Sequence, residues 1–421
     1  CPGGTVFPEG LAIGASWNRD LVRKIYSAAA REGRSIGVHG LCTLVIEPNR
    51  DPRMGRNEEG YSEDPYMCAQ IASTIVEALQ GNDISNPGNL IAFLCHYPGQ
   101  SQPAGGLERG AMEISDRKLR EVFLPPWVAG IKKSGALGVM ATYPAIDGVA
   151  VHSSEKMLTK ILREELGFKG IVLGEGGGLS TIVTERHAVN QKDAGILAIK
   201  AGLDIGISIE DAYMGALIEN VNEGKISEKD VDQAVARLLR LKFQLGLFEN
   251  PYVNVDNALR IVNSEEHRAL ALQAAREGIV LLKNEKNILP LKKNIRSVAV
   301  IGPVADAPID QLGDYHPQTV PQEVVTVLKG IRNKLSPAVK ITYVKGCEVI
   351  GDKVNEIEKA RKTAKSADVA VVVIGEAGYI TNGEGRDVAN LDLTGLQEDL
   401  LKAVYSTGTP TVAVMINGRP L

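Results

Sequence analysis

Short apolar runs alternate with amphipathic segments along nearly the whole chain, and this alternation restricts the possible folds more than any other feature. Runs of strand length occur at Leu90–Tyr97, Leu137–Tyr143 and Gly170–Leu173, with room for a helix between each pair. Strands that are separated by helices usually lie parallel in one sheet. The sequence therefore predicts an α/β protein.

The first half of the chain, residues 1–246, is typical of a (β/α)8 barrel, a TIM-like arrangement. Strands at Thr43–Glu47 and Leu203–Ile207 bring the number of clear strands to five. A long helix is expected over Ala212–Leu245. Because five strands are too few for a closed barrel, we expect the first ones to lie upstream of Cys1.

A second alternating set begins at Ser297, after a polar stretch that contains one helix. Its strands are expected at Val298–Ile301, Ile341–Val344, Val369–Ile374 and Thr411–Ile416. This pattern predicts an open, doubly wound sheet that is cut off before its end. The sequence thus predicts three parts: a barrel domain at 1–246, a linker with a connecting helix at 247–296, and a truncated α/β sandwich at 297–421.

The composition excludes several classes of function. The 421 residues include 47 Lys and Arg against 51 Asp and Glu, so no basic surface is expected to bind nucleic acid or anionic lipid. No apolar run reaches the roughly 18 residues that a membrane helix needs. The five cysteines are scattered without a Cys-x-x-Cys spacing, which indicates neither a metal site nor a disulfide framework. The compartment and the oligomeric state stay open.

Polar side chains follow the predicted strands, where parallel α/β folds bind their ligands. Arginine and histidine donate hydrogen bonds to hydroxyls and carboxylates accept them, so the pattern favours a neutral, hydroxyl-rich ligand. Two carboxylates on separate loops suit the cleavage of a glycosidic bond. The same side chains also fit solvated or ion-paired loops. These strand-end loops lie at 49–59, 95–99, 140–143, 174–175 with 186–187, and 375–376 with 383–387.

Longer stretches around these loops are similar to one known family. In the first half they are Phe7–Trp17, Asn49–Arg56, Tyr61–Pro65, Leu119–Pro126, Gly138–Tyr143 and Gly167–Leu173. In the second half they are Gly278–Asn284, Gln311–Tyr315, Leu391–Gln397 and Asn417–Leu421. By these stretches the chain resembles glycoside hydrolase family 3, and most of all its bacterial β-glucosidase and β-xylosidase branch.

The resemblance implies a barrel domain followed by an (α/β)6 sandwich. It also implies retaining hydrolysis of β-linked sugars at non-reducing ends, without a cofactor, on an oligosaccharide or aryl β-glycoside. The position that matches the family nucleophile is Glu175, and the position that matches the acid/base is Glu384. One carboxylate would therefore come from each domain.

The resemblance further implies a set of substrate-binding positions. Arg56, His96 and Tyr143 match residues that hold sugar hydroxyls, and Met140 would line the pocket. Cys95 stands where the family has a lysine. These residues complete the site that the resemblance predicts.

The chain departs from the family at several positions. Glu175 replaces an expected aspartate and is one methylene longer, and Cys95 removes a cation that would donate to sugar hydroxyls. Met54 replaces a tryptophan, and Gly206 replaces a glutamate. The segment that supplies a sugar-binding aspartate in the family is expected to lie outside the chain.

Two functions from different classes therefore stay open. An active β-glycosidase is favoured by the presence of Glu384, Arg56 and His96. A catalytically impaired, carbohydrate-binding homologue is favoured by Cys95 together with Glu175. A nucleotide-binding α/β protein is a third hypothesis, suggested by Val298–Pro303, but this stretch lacks a dinucleotide-binding fingerprint.

Overall fold

The computed structural model describes residues 3–292 and 294–421, with the backbone alone for Thr43. Cys1, and Lys293 in the predicted connector, lie outside the described residues. The described residues form two compact units. Unit 1 consists of residues 3–54 and 59–278, and unit 2 consists of residues 55–58 and 279–421. The three-part division at 246 and 297 stays a prediction.

The described part of unit 1 is built on a sheet of five parallel strands. In the sheet they follow one another in the order β1-β2-β3-β4-β5, as they do along the chain. Consecutive parallel strands joined by helices form the wall of a (β/α) barrel, which confirms the architecture predicted for the first half. The strands are β1 (Gly40–Val45), β2 (Ile91–Tyr97), β3 (Gly138–Ala141), β4 (Ile171–Gly174) and β5 (Ile205–Gly206).

Helices connect these strands, and their ends follow local rules. The helix Arg19–Ser35 begins where the side chain of Asn18 accepts a hydrogen bond from the backbone N–H of Leu21, at 3.1 Å. None of the helices in the described ranges is both long and apolar enough to cross a bilayer. The other helices of unit 1 are Gly10–Ala15, Pro65–Gln80, Asp116–Lys118, Leu119–Phe123, Pro125–Val128, Ala129–Lys133, Lys156–Glu165, Gly178–Thr184, Gln191–Ala201, Gly215–Asn222, Glu228–Gln244, Val255–Ile261 and Glu265–Gly278.

The predicted continuous helix over Ala212–Leu245 was wrong. The chain forms two helices, Gly215–Asn222 and Glu228–Gln244, with a break between them. Gly224 adopts a φ of +71° in the break, which ends the first helix. Ser227 and Asp230 form a capping box that starts the second. Two local features of the sequence therefore mark the break: Gly224 and the capping box that follows it.

The two faces of the unit 1 sheet bury separate clusters of side chains. On one face, Leu94 and its neighbours pack against the connecting helices. On the other face, Phe93 and Cys95 of β2 pack with Met140 of β3 and with Leu241 from the helix Glu228–Gln244. This alternation places Cys95 and Met140 on the same inner face of the barrel wall.

Unit 2 contains a sheet of four parallel strands among the described residues, in the order β9-β8-β6-β7. After β6 the chain adds β7 on one side and then returns to the other side of β6 for β8 and β9, which makes the sheet doubly wound as predicted. Ligands bind at such a switch point, here between β6 and β8, beyond the carboxyl ends of the strands. The strands are β6 (Ser297–Ile301), β7 (Lys340–Val344), β8 (Val369–Gly375) and β9 (Thr411–Ile416). The helices are Val327–Lys334, Ile357–Lys365 and Gln397–Tyr405.

Candidate functional site

Glu175 is the centre of the candidate site in unit 1. It directly follows β4, and its carboxylate is buried. One carboxylate oxygen, Oε1, lies 3.1 Å from Nε2 of His96 and 3.3 Å from the side-chain amide nitrogen of Gln100. The other, Oε2, accepts a hydrogen bond from the backbone N–H of Tyr143 at 3.2 Å. The structure thus brings together His96, Tyr143 and Glu175, three of the candidate residues named from the sequence.

A second histidine holds the backbone of Glu175. Nε2 of His152 accepts a hydrogen bond from the Glu175 N–H at 3.1 Å. Burial lowers the pKa of His152 to about 3, so its ring is neutral and Nε2 is free to accept. A Cβ atom on Gly178 would lie 2.1 Å from this nitrogen, so the turn after β4 needs glycine there. Sequence reasoning gave His152 no role in the site.

Gln100 links Glu175 to a second buried carboxylate. The amide nitrogen of Gln100 also lies 3.2 Å from Oε1 of Glu108. The amide nitrogen carries two hydrogens, one for each carboxylate. Because both contacts depend on the path of a loop, no periodic pattern in the sequence identifies either residue.

Glu47 anchors the loop that carries Gln100. Its side chain is fully buried just beyond β1. The carboxylate accepts hydrogen bonds from the backbone N–H of Gly99 and from the N–H and hydroxyl of Ser101, the last two at 3.2 and 3.3 Å. Burial raises the pKa of Glu47 to about 7, although these donors act in the opposite direction. Glu47 is therefore a positioning residue for Gln100. The only feature of the sequence that pointed to Glu47 was its position at the end of an apolar strand.

The titration of Glu47 should be visible in the pH dependence of stability. A carboxyl group whose pKa is raised by folding stabilises the folded state below about pH 4.5, and this contribution is lost as the pH rises through about 7. Between pH 5 and 8, the free energy of unfolding of the wild type should therefore fall by about 2–3 kcal/mol relative to Glu47→Gln.

Urea unfolding followed by tryptophan fluorescence can measure this difference. The two tryptophans, Trp17 and Trp127, both lie in unit 1, and Trp127 is fully buried. Glu121→Gln, at an exposed helix position, controls for the amide substitution itself. Equal pH slopes for wild type and Glu47→Gln would contradict the expectation.

Both the hydroxyl and the aromatic ring of Tyr143 contact neighbouring groups. Its hydroxyl donates to the carbonyl of Gly176 at 2.7 Å. The guanidinium of Arg109 lies 4.1 Å from the centre of its ring, within the range of a cation–π interaction. The ring is therefore held rigidly beside Glu175.

Cys95 and Met140 lie in the inner-face cluster of unit 1, and both are buried. The Cys95 thiol donates to the carbonyl of Cys42 at 2.7 Å. A thiol in this arrangement is neutral and offers no positive charge. Among the described cysteines, Cys42, Cys68, Cys95 and Cys347, no disulfide is formed.

Glu384 is the centre of the candidate site in unit 2. It lies on the loop after β8 and is partly exposed. The Tyr315 hydroxyl, from the loop after β6, donates to Oε2 of Glu384. Oδ2 of Asp314 accepts a hydrogen bond from the Glu384 N–H at 2.6 Å. The guanidinium of Arg56 lies 5.5 Å from the centre of the Tyr315 ring. Unit 2 thus brings Arg56 and Glu384 to one cluster at the switch point.

The segment 55–58 shapes this cluster from within unit 2. Glu58 accepts hydrogen bonds from the N–H of Asp314, at 2.7 Å, and from the side-chain amide of Asn382. The carbonyl of Gly55 accepts from the N–H of Gly383 at 3.0 Å. Gly383 has a φ of +104°, and a Cβ there would lie 2.7 Å from the Asp314 carboxylate. These contacts set the path of the loop that carries Glu384.

Glu376, the other carboxylate near the end of β8, has a structural role. It forms a buried ion pair with Arg419, with 2.8 Å between Oε1 and Nε. Its second oxygen accepts from the N–H of Gly418 at 3.0 Å. Both oxygens are thus occupied by the chain itself, which leaves Glu384 as the stronger candidate for chemistry in unit 2.

One open cavity of unit 1, of about 390 Å³, holds none of the predicted site residues. It is lined by Glu113, Ile114, Ser115, Asp116, Leu119, Ile146, Asp147 and Lys156. Over residues 3–292 and 294–421, no group of three or more His, Cys, Asp or Glu side chains is arranged to hold a metal ion. The candidate chemistry is therefore carried by the two clusters around Glu175 and Glu384.

Comparison with known proteins gives consistent matches along the chain. Residues 1–241 match the glycosyl hydrolase family 3 N-terminal domain, and residues 279–421 match its C-terminal domain. A β-xylosidase from Formosa agariphila is 36% identical over 436 residues, which cover 99% of this chain and 60% of the relative. A periplasmic β-glucosidase from Salmonella typhimurium is 33% identical over 444 residues, covering 99% of this chain and 57% of the relative.

Solved structures agree with the sequence matches. The crystal structure of a β-glucosidase from Listeria innocua in complex with glucose superposes with a TM-score of 0.93 at 31% identity, and the match covers 99% of this chain and 57% of that one. The chain thus spans somewhat more than half the length of the proteins it matches. The barrel-and-sandwich architecture agrees with the fold predicted from the sequence. Two domain models that together span most of its length show that the chain belongs to glycoside hydrolase family 3.

Proposed function

We propose that the protein hydrolyses terminal, non-reducing β-D-glucosidic or β-D-xylosidic bonds with retention of configuration at the anomeric carbon. Family membership and the relatives named as β-xylosidase and β-glucosidase support the class of reaction. The observation that carries the proposal is the buried Glu175 carboxylate, which three donors orient at the carboxyl end of a barrel strand.

In the first step, a carboxylate oxygen of Glu175 attacks the anomeric carbon. The new C–O bond forms a glycosyl ester as the bond to the leaving oxygen breaks, and Glu384 gives its proton to that oxygen. The aglycone leaves as an alcohol, and Glu384 is left as a carboxylate. Hydrogen bonds from His96 and Gln100 orient the Glu175 carboxylate for the attack.

In the second step, water attacks the anomeric carbon and gives a proton to the Glu384 carboxylate. The ester bond breaks, and its electron pair returns to Glu175. The sugar leaves as a hemiacetal with its original configuration, because two inversions have taken place. Both glutamates are restored to their starting protonation states.

The remaining predicted residues are proposed to bind the sugar. The guanidinium of Arg56 is a donor suited to hydroxyls, and the Tyr143 ring is a rigid wall beside Glu175. With Nε2 of His96 donating to Glu175, Nδ1 of the neutral ring can accept a hydrogen bond from a sugar hydroxyl. We propose that Met140 and Cys95 line the apolar floor of this pocket, since both lie in the inner-face cluster.

One observation favours a second candidate function, a carbohydrate-binding homologue with impaired turnover. The Cys95 thiol is used by the Cys42 carbonyl and supplies no cation to a sugar. Loss of a charged hydrogen bond to substrate costs about 1.5–3 kcal/mol, or roughly 10–200-fold in kcat/KM if the contact is made in the transition state. Such a loss slows a glycosidase without abolishing its activity.

A panel of 4-nitrophenyl β-glycosides tests the proposal. We expect release of 4-nitrophenol from the β-glucoside or the β-xyloside, with slower release from the β-galactoside and the N-acetyl-β-glucosaminide. Proton NMR of the first product should show the β-anomer before mutarotation. Binding of glucose or xylose by calorimetry, without hydrolysis of any member of the panel, would favour the impaired homologue. A first-formed α-anomer would contradict the retaining mechanism.

A further inference from the structure

We infer that Tyr315 is a positioning residue that favours the ionised form of Glu384 and thereby speeds the second half of the reaction. The inference rests on the proposed acid/base role of Glu384. Its physical basis is the hydrogen bond from the Tyr315 hydroxyl to Oε2 of Glu384. A donor aimed at a carboxylate stabilises the charged form relative to the protonated form.

Tyr315 is itself held in place for this contact. Its backbone N–H donates to Oδ1 of Asp314 and to the hydroxyl of Tyr379, both at 2.8 Å. Its φ of +53° is uncommon for a residue with a side chain, and the two contacts maintain it. The Arg56 guanidinium lies against its ring, 5.5 Å from the centre. About half of the Tyr315 side chain is exposed, so it can be substituted without opening a core.

The other ionisable groups around Glu384 act in opposite directions. Asp314 accepts the Glu384 N–H, and its negative charge favours the protonated acid. Glu58, bound to the Asp314 N–H, adds a second negative charge. Arg56, whose guanidinium lies beside the Tyr315 ring, favours the carboxylate.

On the Glu384 loop itself, Arg386 and Asp387 are two further charged residues. The Nε–H of Arg386 donates to the Tyr379 carbonyl at 2.9 Å, and Asp387 accepts the Gly55 N–H at 2.8 Å. Both of these contacts are made with groups other than Glu384. The Tyr315 hydroxyl donates directly to the Glu384 carboxylate and so opposes the effect of Asp314 and Glu58.

The two halves of the reaction place opposite demands on Glu384. The first step needs a proton on it, and the second needs it ionised to accept a proton from water. A hydrogen bond to the carboxylate assists the second step and slows the first. Tyr315 therefore suits an enzyme in which release of the sugar from Glu175 limits turnover.

Tyr315→Phe removes the donor and keeps the ring beside Arg56. We expect the pKa of Glu384 to rise by about one pH unit. It can be measured by carbon-13 NMR titration of protein labelled at the glutamate carboxyl carbons, with the Glu384 signal identified by its loss in Glu384→Gln. Tyr405→Phe, at an exposed position of unit 2, is the matched control and should not shift the signal.

Kinetics on an activated substrate supply the second measurement. With 2,4-dinitrophenyl β-glycosides the second step should limit turnover, and we expect kcat at pH 6 to fall several-fold in Tyr315→Phe. The alkaline limb of kcat/KM for a phenyl β-glycoside should move to higher pH by the same interval as the titration.

The NMR titration and the kinetics together distinguish the role inferred for Tyr315 from the proposed function. An unchanged titration in Tyr315→Phe would overturn the inference, whatever the activity. A shifted titration in a protein that hydrolyses no glycoside would support the hydrogen-bond effect and overturn the proposed function. A shifted titration with an unchanged kcat on the activated substrate would overturn the role of Tyr315 in the second step.

Discussion

Glu175→Ala is expected to lower kcat for the preferred 4-nitrophenyl β-glycoside by roughly 10⁴-fold or more. The substitution removes the atom that is proposed to form the glycosyl ester, and no other carboxylate in the described contacts replaces it. Glu108 lies near, but its link to Glu175 runs through the amide of Gln100. Initial rates of nitrophenol release measure the loss.

Azide provides a chemical test of the same assignment. A small anion can enter the space left in Glu175→Ala and attack the anomeric carbon from the side that the glutamate used. The product should be the α-glycosyl azide, because one inversion takes place. Glu164→Ala, at an exposed helix position in unit 1, controls for loss of a glutamate and should keep full activity. Full activity in Glu175→Ala would contradict the assignment of the nucleophile.

Shortening the side chain is expected to reduce activity as well. Glu175→Asp draws the carboxylate back by one methylene from His96, Gln100 and the Tyr143 N–H, which hold the longer side chain. A displacement of about 1 Å at a reacting atom costs roughly 100-fold in rate. A strong increase in kcat would instead show that the longer side chain is a defect of this chain relative to its family.

Glu384→Gln is expected to have an effect that depends on the leaving group. For a phenyl β-glycoside, whose leaving oxygen needs a proton, kcat/KM should fall by about 10²–10⁴-fold. For a 2,4-dinitrophenyl β-glycoside, whose leaving group departs as a stable anion, kcat/KM should change little. The introduced amide keeps the size of the side chain but cannot transfer a proton at neutral pH.

The slope of log kcat/KM against leaving-group pKa is the measurement that isolates this role. It should steepen in Glu384→Gln and stay unchanged in Glu398→Gln, an exposed position on the helix Gln397–Tyr405. An equal loss on both substrates would indicate that Glu384 binds or supports the structure, and that the acid is another residue.

The strand pattern was sufficient to predict the parallel sheets and the position of Glu175. Carboxyl ends of parallel strands meet at one edge, which brings the carboxylate after β4, Glu175, close to a histidine in β2, His96. Their contact of 3.1 Å follows from that rule. The resemblance to the family was needed to assign roles, since strand-end glutamates are also common in solvated loops.

The parts that could not be predicted depend on loop paths and on distant contacts. Gln100 and Glu47 meet their partners through the turn after β2, whose course no periodicity encodes. Tyr315 meets Glu384 across 69 residues, because two loops converge at the switch point of a doubly wound sheet. Strand order, which brings these loops together, is a property of the folded sheet and has no local signature.

The membership of residues 55–58 in unit 2 has a consequence for recombination between related sequences during evolution. A crossover near residue 279 would join Glu58 from one parent to Asp314 and Asn382 from the other. A hybrid in which the side chains at 58 and 382 do not match would lose the hydrogen bond between them inside unit 2, although the break point lies between the units. We therefore expect residues 55–58 to covary with the loops after β6 and β8 more strongly than with their neighbours along the chain.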